Sequence, residues 1–288
     1  MFQLTQLHNY IVLSRLNKPI GIFLLLWPTV MALWIAGKGS PSPFLVFIFI
    51  AGVIVMRSAG CVINDLLDHR FDGSVTRTRF RPLVMGAVTV REAWVLFLIL
   101  TFVALLLVLQ LNTFTIVLSS FALLLAMIYP LMKRVIHWPQ VVLGCAFGWA
   151  IPMAFAAQTN HVYLEAFILF FASVCWAVVY DTQYAMADRA DDIKIGVKST
   201  AILFGEQDKI LIASFQFLVI TLLIILGLQL QLGLYYYLGV ITATLLFLYQ
   251  QYLIKDRVVE NCLQAFRNNH YVGFALFVGL ALEYALGG

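Results

Sequence analysis

Residues 43–73 read PFLVFIFIAGVIVMRSAGCVINDLLDHRFDG. Positions 43–63 hold a single charge, Arg57, and are long enough for a helix at ~1.5 Å per residue to cross a hydrocarbon core of ~30 Å. Asn64, Asp65, Asp68, His69, Arg70 and Asp72 then crowd together where that run ends. Carboxylates at this density repel one another, and a bilayer edge is a costly place for them. A helix that ends this way must hold something that offsets the cost.

The apolar texture extends along the chain. Of 288 residues, 62% are hydrophobic and 11% charged, whereas a soluble domain carries roughly 25% charged residues. Nine apolar segments, at 20–37, 43–63, 93–111, 113–131, 141–157, 163–180, 209–229, 232–253 and 270–287, approach the ~20 residues of a spanning helix. The expected fold is all-α: one domain over 1–288, a polytopic membrane protein of about nine transmembrane helices. Pro19 should open the first segment and Pro28 kink it, with Pro152 kinking the fifth. Four cysteines, far apart and without a C-x-x-C pair, suit apolar packing rather than a disulfide frame or metal site. The polar start, MFQLTQLHNYIVLSRLNKP, lacks the basic-then-apolar pattern of a cleaved signal.

Charge orients the segments. With a cytoplasmic N-terminus, the inside connections hold sixteen of the 18 basic residues, leaving Lys38 outside and Arg57 within the second span. This is the positive-inside pattern, so the net charge of +4 reports topology rather than a nucleic-acid partner. Two inside connections are long, 64–92 and 181–208, and carry most of the acids. Function belongs on that face.

The second polar stretch is YDTQYAMADRADDIKIGVKST, residues 180–200. Asp65, Asp68 and Asp72 share the spacing i, i+3, i+7 with Asp181, Tyr184 and Asp188. Asn64, Asp68 and Asp72 share i, i+4, i+8 with Tyr184, Asp188 and Asp192. On helices continuing out of the membrane, each set lies on one face, and the pair hints at an internal repeat with its site between the halves. Helix capping explains one acidic pair but not two clusters in the same phase. A cation-coupled carrier of small anions is the alternative, although carriers place such groups near the bilayer midplane. Diphosphate binding through Mg²⁺ fits better, because Mg²⁺ is typically held by one or two carboxylates plus substrate phosphates. Arg77, Arg79 and Arg81 after the first cluster, with Lys194 and Lys198 after the second, can neutralise the remaining phosphate charge. A lipid diphosphate would keep its head between the clusters and its tail among the helices.

These motifs, together with RLNKPIG from Arg15, AGCVINDLLDHRFDG, Arg81-Pro-Leu, YPLMKR from Tyr129, and IKIGVKSTAILFG, resemble the UbiA superfamily of intramembrane aromatic prenyltransferases. The likeness covers most of the chain and is closest to the branch acting on 4-hydroxybenzoate. It implies nine helices around a central cavity open to the cytoplasmic side, in a bacterial inner membrane, with no obligate protein partner. The implied substrates are polyprenyl diphosphate and 4-hydroxybenzoate; a naphthoate, homogentisate, haem or chlorophyllide ring would be the alternative acceptor. The implied cofactor is Mg²⁺, one ion on Asn64 and Asp68 and another on Asp188 and Asp192. Asp72 would act with them, and Asp65, Asp181, Asp191 and Tyr184 would support them. Ala190 stands where close relatives often have another acid. An aromatic acid also needs a cation apart from the diphosphate clamp. Arg57, two turns before Asn64 on roughly the same face, is one candidate; Arg134, helped by Lys133, is the other.

Overall fold

The computed structural model describes residues 2–72 and 78–287, which form helices joined by short turns. They are α1 (Phe2–Leu13), α2 (Ile20–Ala36), α3 (Pro43–Asp72), α4 (Val90–Val108), α5 (Thr113–Val135), α6 (Pro139–Gly148), α7 (Ala150–Thr159), α8 (Leu164–Ile195), α9 (Thr200–Phe204), α10 (Asp208–Gln229), α11 (Leu234–Ile254) and α12 (Val259–Leu286). Each apolar segment forms one helix, except the fifth, which forms the pair α6–α7. Pro152 has no N–H for the Gly148 carbonyl, and the break falls at Trp149, one turn earlier. Pro28 is accommodated within α2, which runs unbroken. Among the described residues, seven helical stretches are long and apolar enough to cross a membrane. Two of the nine expected spans fall short of that standard: α2 has 17 residues, and α12 opens with Glu260, Arg267, Asn268, Asn269 and His270.

The two acidic stretches lie on the longest helices. α3 and α8, of 30 and 32 residues, extend about 45 and 48 Å at the helical rise, beyond a core of ~30 Å. Their last turns therefore carry the acids past the apolar slab. α8 stops at Gly196, whose φ of +73° is the left-handed conformation that closes a helix, and Val197 N donates to Asp192 O.

Packing centres on α8, which lies against α6, α10 and α12, and on α2, which lies against α3, α7 and α12. Leu24, Met31, Phe155, Trp176, Tyr236 and Ile254 belong to the main core. A second core joins Leu13, Val62, Leu66, Val88 and Ala93 where α1, α3 and α4 meet. Outward faces are equally apolar, with Leu98, Phe102, Leu124 and Phe217 exposed. Soluble monomers rarely expose such continuous apolar surface, so these faces belong in lipid.

A chain of neutral amides crosses the interior. Gln183 and Gln216 both donate to Gln250 Oε1 (2.9 and 3.1 Å), Gln250 donates to Asn268 (3.0 Å), and Gln251 to Gln216 (2.8 Å). Asn269 donates to Gln183 Oε1 (2.8 Å) and accepts from Trp176 Nε1 (2.8 Å). Replacing Gln250 by Leu strands two donors and an acceptor. The variant should lose about 1–3 kcal/mol, seen as a lower midpoint of thermal unfolding in detergent. Gln110→Leu, on an exposed face where the amide reaches only Leu106 O, serves as the control. An unchanged midpoint for Gln250→Leu would show that the amide chain does not hold the bundle.

Candidate active site

Asp65 and Asp68 are both buried, at 2% and 4% exposure, and each meets two cations remote in sequence. Arg15 Nη2 donates to both oxygens of Asp65 (3.0 and 2.9 Å), while Arg81 Nη1 lies 2.9 Å from Oδ1. Arg15 has a φ of +58°, a left-handed conformation costly to L-residues, and its Nη1 donates to Val12 O at 3.0 Å. The turn after α1 is thus shaped to present one guanidinium to one carboxylate.

Asp68 is held by the end of α5. Lys133 Nζ bonds Asp68 Oδ2, and Arg134 Nη2 donates to Leu67 O (2.7 Å) and Asp68 Oδ1 (3.3 Å). The 196–199 segment meets the same turn of α5. Lys198 N donates to Lys133 O (2.8 Å), and Lys198 Nζ donates to Val135 O (2.9 Å), a cation on helix-terminal carbonyls. One helix end therefore touches both acidic stretches. Asp181 lies within electrostatic reach of Arg57, Asp188 and Lys133, and Gln140 hydrogen-bonds to it. Gln140 Oε1 accepts from Thr200 N (3.1 Å), and the Thr182 and Thr200 hydroxyls are 2.6 Å apart, tying this part of α8 to α6 and α9.

Deeper along α3, about 12 Å before Asp65 and about 16 Å before Asp68 by the helical rise, sits Arg57. Its Nε is enclosed and has no hydrogen-bond partner among the described residues. The guanidinium carbon is 5.5 Å from the Phe147 ring centroid, with Tyr129, Tyr180 and Tyr184 within electrostatic reach. Gly21 makes room for it: a methyl group there would lie 2.3 Å from Arg57 Nε. An enclosed cationic donor lacking an acceptor is poised to take an anionic oxygen.

The remaining predicted residues are more dispersed. Asn64 is half-buried on α3, and Tyr184, Asp188, Asp191 and Asp192 are half-buried on α8, these four all engaged with neighbours. Lys194 pairs with Asp191 at 3.2 Å with its own side chain 73% exposed, and Arg79 is exposed over the Phe80 ring. Arg77 and the Asp72 side chain lie outside the described residues. No three Asp, Glu, His or Cys side chains form a ready-made metal cage among the described residues. Sparse carboxylates beside cations still fit Mg²⁺, which takes few protein ligands and completes its shell with phosphate and water. Sequence spacing did not find Arg15, Tyr129 or Gln140, because their partners lie far away in the chain.

A helical membrane bundle with two acidic helix ends over shared cations is the architecture of an integral-membrane protein with a charged site at one end of its helices. Residues 25–278 match the UbiA prenyltransferase family, and the chain belongs to that family. A relative from Hahella chejuensis, 4-hydroxybenzoate octaprenyltransferase, is 56% identical over 275 residues, covering 96% of this chain and 92% of that protein. The apo structure of a UbiA homologue from Aeropyrum pernix K1 shares the fold, with a TM-score of 0.79, 24% identity and coverage of 90% of this chain and 96% of that one. A UbiA homologue from Archaeoglobus fulgidus, bound to GPP and Mg²⁺, gives 0.72 at 18% identity over 96% and 99% of the two chains.

Removing Asp65 leaves Arg15 and Arg81 facing each other without their acid. Asp65→Ala should therefore cost about 2 kcal/mol or more, whereas Asp256→Ala, exposed beside Lys255, should cost almost nothing. Equal melting midpoints for the two purified variants would overturn this assignment.

Proposed function

We propose that the protein transfers a polyprenyl group from polyprenyl diphosphate to the ring carbon ortho to the hydroxyl of 4-hydroxybenzoate, releasing diphosphate, with Mg²⁺ as cofactor. The observation that carries this reading is the shared turn at Lys133 and Arg134, with the enclosed Nε of Arg57, unpartnered among the described residues, deeper along α3. The full-length likeness to an enzyme named for this reaction supports it. Asn64, Asp68, Asp188 and Asp192 would hold two Mg²⁺ ions, with Asp65, Asp72, Asp181, Asp191 and Tyr184 behind them. When bound, Mg²⁺ would neutralise the diphosphate and ease its departure. Lys133, Arg81, Arg79 and Arg77 from one side, and Lys194 and Lys198 from the other, would add positive charge around the head group.

The chemistry breaks the allylic C–O bond, forms a C–C bond to the ring and releases the ring proton. The chain's part is to keep the allyl cation dry among aromatic faces and to orient the acceptor. Arg57 suits the acceptor carboxylate better than Arg134, because Arg57 Nε is enclosed without a partner among the described residues, whereas Arg134 sits 40% exposed at the end of α5, beside the head-group acids. The phenol end would then point toward the acidic face, where its oxygen activates the ortho carbon. In this reading the N-terminus and both acidic helix ends are cytoplasmic, as the basic loops require.

Purified protein with geranyl diphosphate, Mg²⁺ and 4-hydroxybenzoate should form the prenylated acid, and Asp68→Ala and Asp188→Ala should each abolish turnover in folded protein. Near-normal activity in either variant would remove these residues from the metal site. Arg57→Ala should raise KM for 4-hydroxybenzoate about tenfold or more, the worth of a charged hydrogen bond, with little change for the diphosphate. The opposite pattern would give the carboxylate to another cation.

A further inference from the structure

Asp208, in the first turn of α10, is fully buried and belongs to neither acidic stretch. Arg257 grips it with Nε (2.9 Å to Oδ2) and Nη2 (2.8 Å to Oδ1), and Lys209 N donates to Oδ1 at 2.7 Å. Arg257 has a φ of +54°, which L-residues avoid, and its Nη2 also donates to Glu206 O at 2.8 Å. A second arginine arrives from α8: Arg189 Nη1 lies 3.6 Å from Asp208 Oδ2 and donates to Gly205 O at 3.2 Å. Arg189 from α8 and Arg257 from the turn between α11 and α12 thus converge on one carboxylate.

The position of Arg189 gives this arrangement a consequence. It follows Asp188 directly and precedes Asp192 by three residues, the helical spacing at which Asp and Arg side chains pair. An arginine turned toward those acids would claim the same lone pairs as a metal ion and repel it. Its guanidinium lies instead on the α10 side, on Asp208 and the Gly205 carbonyl.

We propose that Asp208 is a positioning residue for the second acidic cluster: held by Arg257, it keeps the Arg189 guanidinium from competing with Mg²⁺-bound diphosphate for Asp188 and Asp192. This rests on the reading of those two acids as metal ligands. The charge on Asp208, rather than its bulk, is what the role requires.

The experiment measures the Mg²⁺ concentration that gives half-maximal binding of radiolabelled geranyl diphosphate to purified protein, with no acceptor and hence no turnover. Asp208→Asn should raise it about fivefold or more, Arg189→Gln alone should stay within about twofold of the parent, and the double variant should return to within about twofold. A structural tie would behave otherwise, since losing either partner would weaken binding and the double variant would not recover. An unchanged Asp208→Asn, an unrecovered double variant, or a shift beyond twofold in Arg189→Gln would each overturn the inference. Arg189→Gln leaves the buried acid untouched, so a shift beyond twofold there overturns the inference even if Asp208→Asn fails to fold. Asp188→Asn separates the two levels. Mg²⁺-dependent binding that survives it overturns the metal reading and this inference together. Binding that needs Asp188 but ignores Asp208 overturns the inference alone.

Discussion

Fixing the rotation of α8 is the constraint on which the molecule depends, in a medium that offers no hydrophobic force between helices. The amide chain of Gln183, Gln216, Gln250, Gln251, Asn268 and Asn269 answers it without placing a charge in the slab. An amide can both donate and accept, so hydrogen bonds pass from α8 to α10, α11 and α12. Gln183 stands next to Tyr184 and two residues after Asp181. At 100° per residue, fixing its direction fixes theirs. The Thr182–Thr200 contact continues the same control along the projecting turns.

Charge at those turns is organised by a second rule. Asp65, Asp68 and Asp208 are all nearly or wholly removed from solvent, and two basic side chains from elsewhere in the chain meet each one. Taking a carboxylate out of water costs several kcal/mol unless such partners are supplied. The partners differ in how sealed they are. Arg81 and Arg15 beside Asp65 are 16% and 25% exposed, whereas Lys133 and Arg134 beside Asp68 are 25% and 40% exposed. A cation already in contact with water exchanges its acid for an anionic ligand at less cost than a sealed one. In the proposed reading this divides the first stretch, with Asp65 holding the scaffold and Asp68 facing the substrate.

Hydropathy and spacing made much of this legible. The apolar segments located nearly every long helix, and the i, i+3, i+7 pattern picked out the residues at the projecting ends. Local pattern could not reveal what those residues touch. Arg15 and Asp65 are 50 positions apart, and Lys198 and Val135 are 63 apart; no periodicity links them. The amides of the interior read as ordinary polar interruptions, because each finds its partner on another helix. α1 was unreadable for a different reason: it is short and weakly apolar, and it docks through Gln6 and Tyr10 on Glu92, which itself caps α4 with Thr89. The break in the fifth segment fell at Trp149 rather than Pro152 because a proline removes the bond to the residue one turn before it.

The distribution of charge also separates the enzyme reading from a carrier. Segments 20–36, 43–56, 93–132, 135–164, 166–180, 210–254 and 268–282 contain no Asp, Glu, Lys or Arg. Arg57 is thus the deepest Asp, Glu, Lys or Arg on the acidic side, and between that face and the opposite ends the helices carry a lone histidine, His270, rather than a relay toward Glu165 and Glu283. A carrier coupled to protons or cations needs such groups along its path, because moving a bare charge through hydrocarbon is prohibitive. A transferase needs them at one end only. Asp68 and Arg57 lie about 16 Å apart along α3, room for an anionic head and an aromatic carboxylate to be held by different cations. The apolar product then has lipid beside it on the outward faces, and nothing charged has to cross.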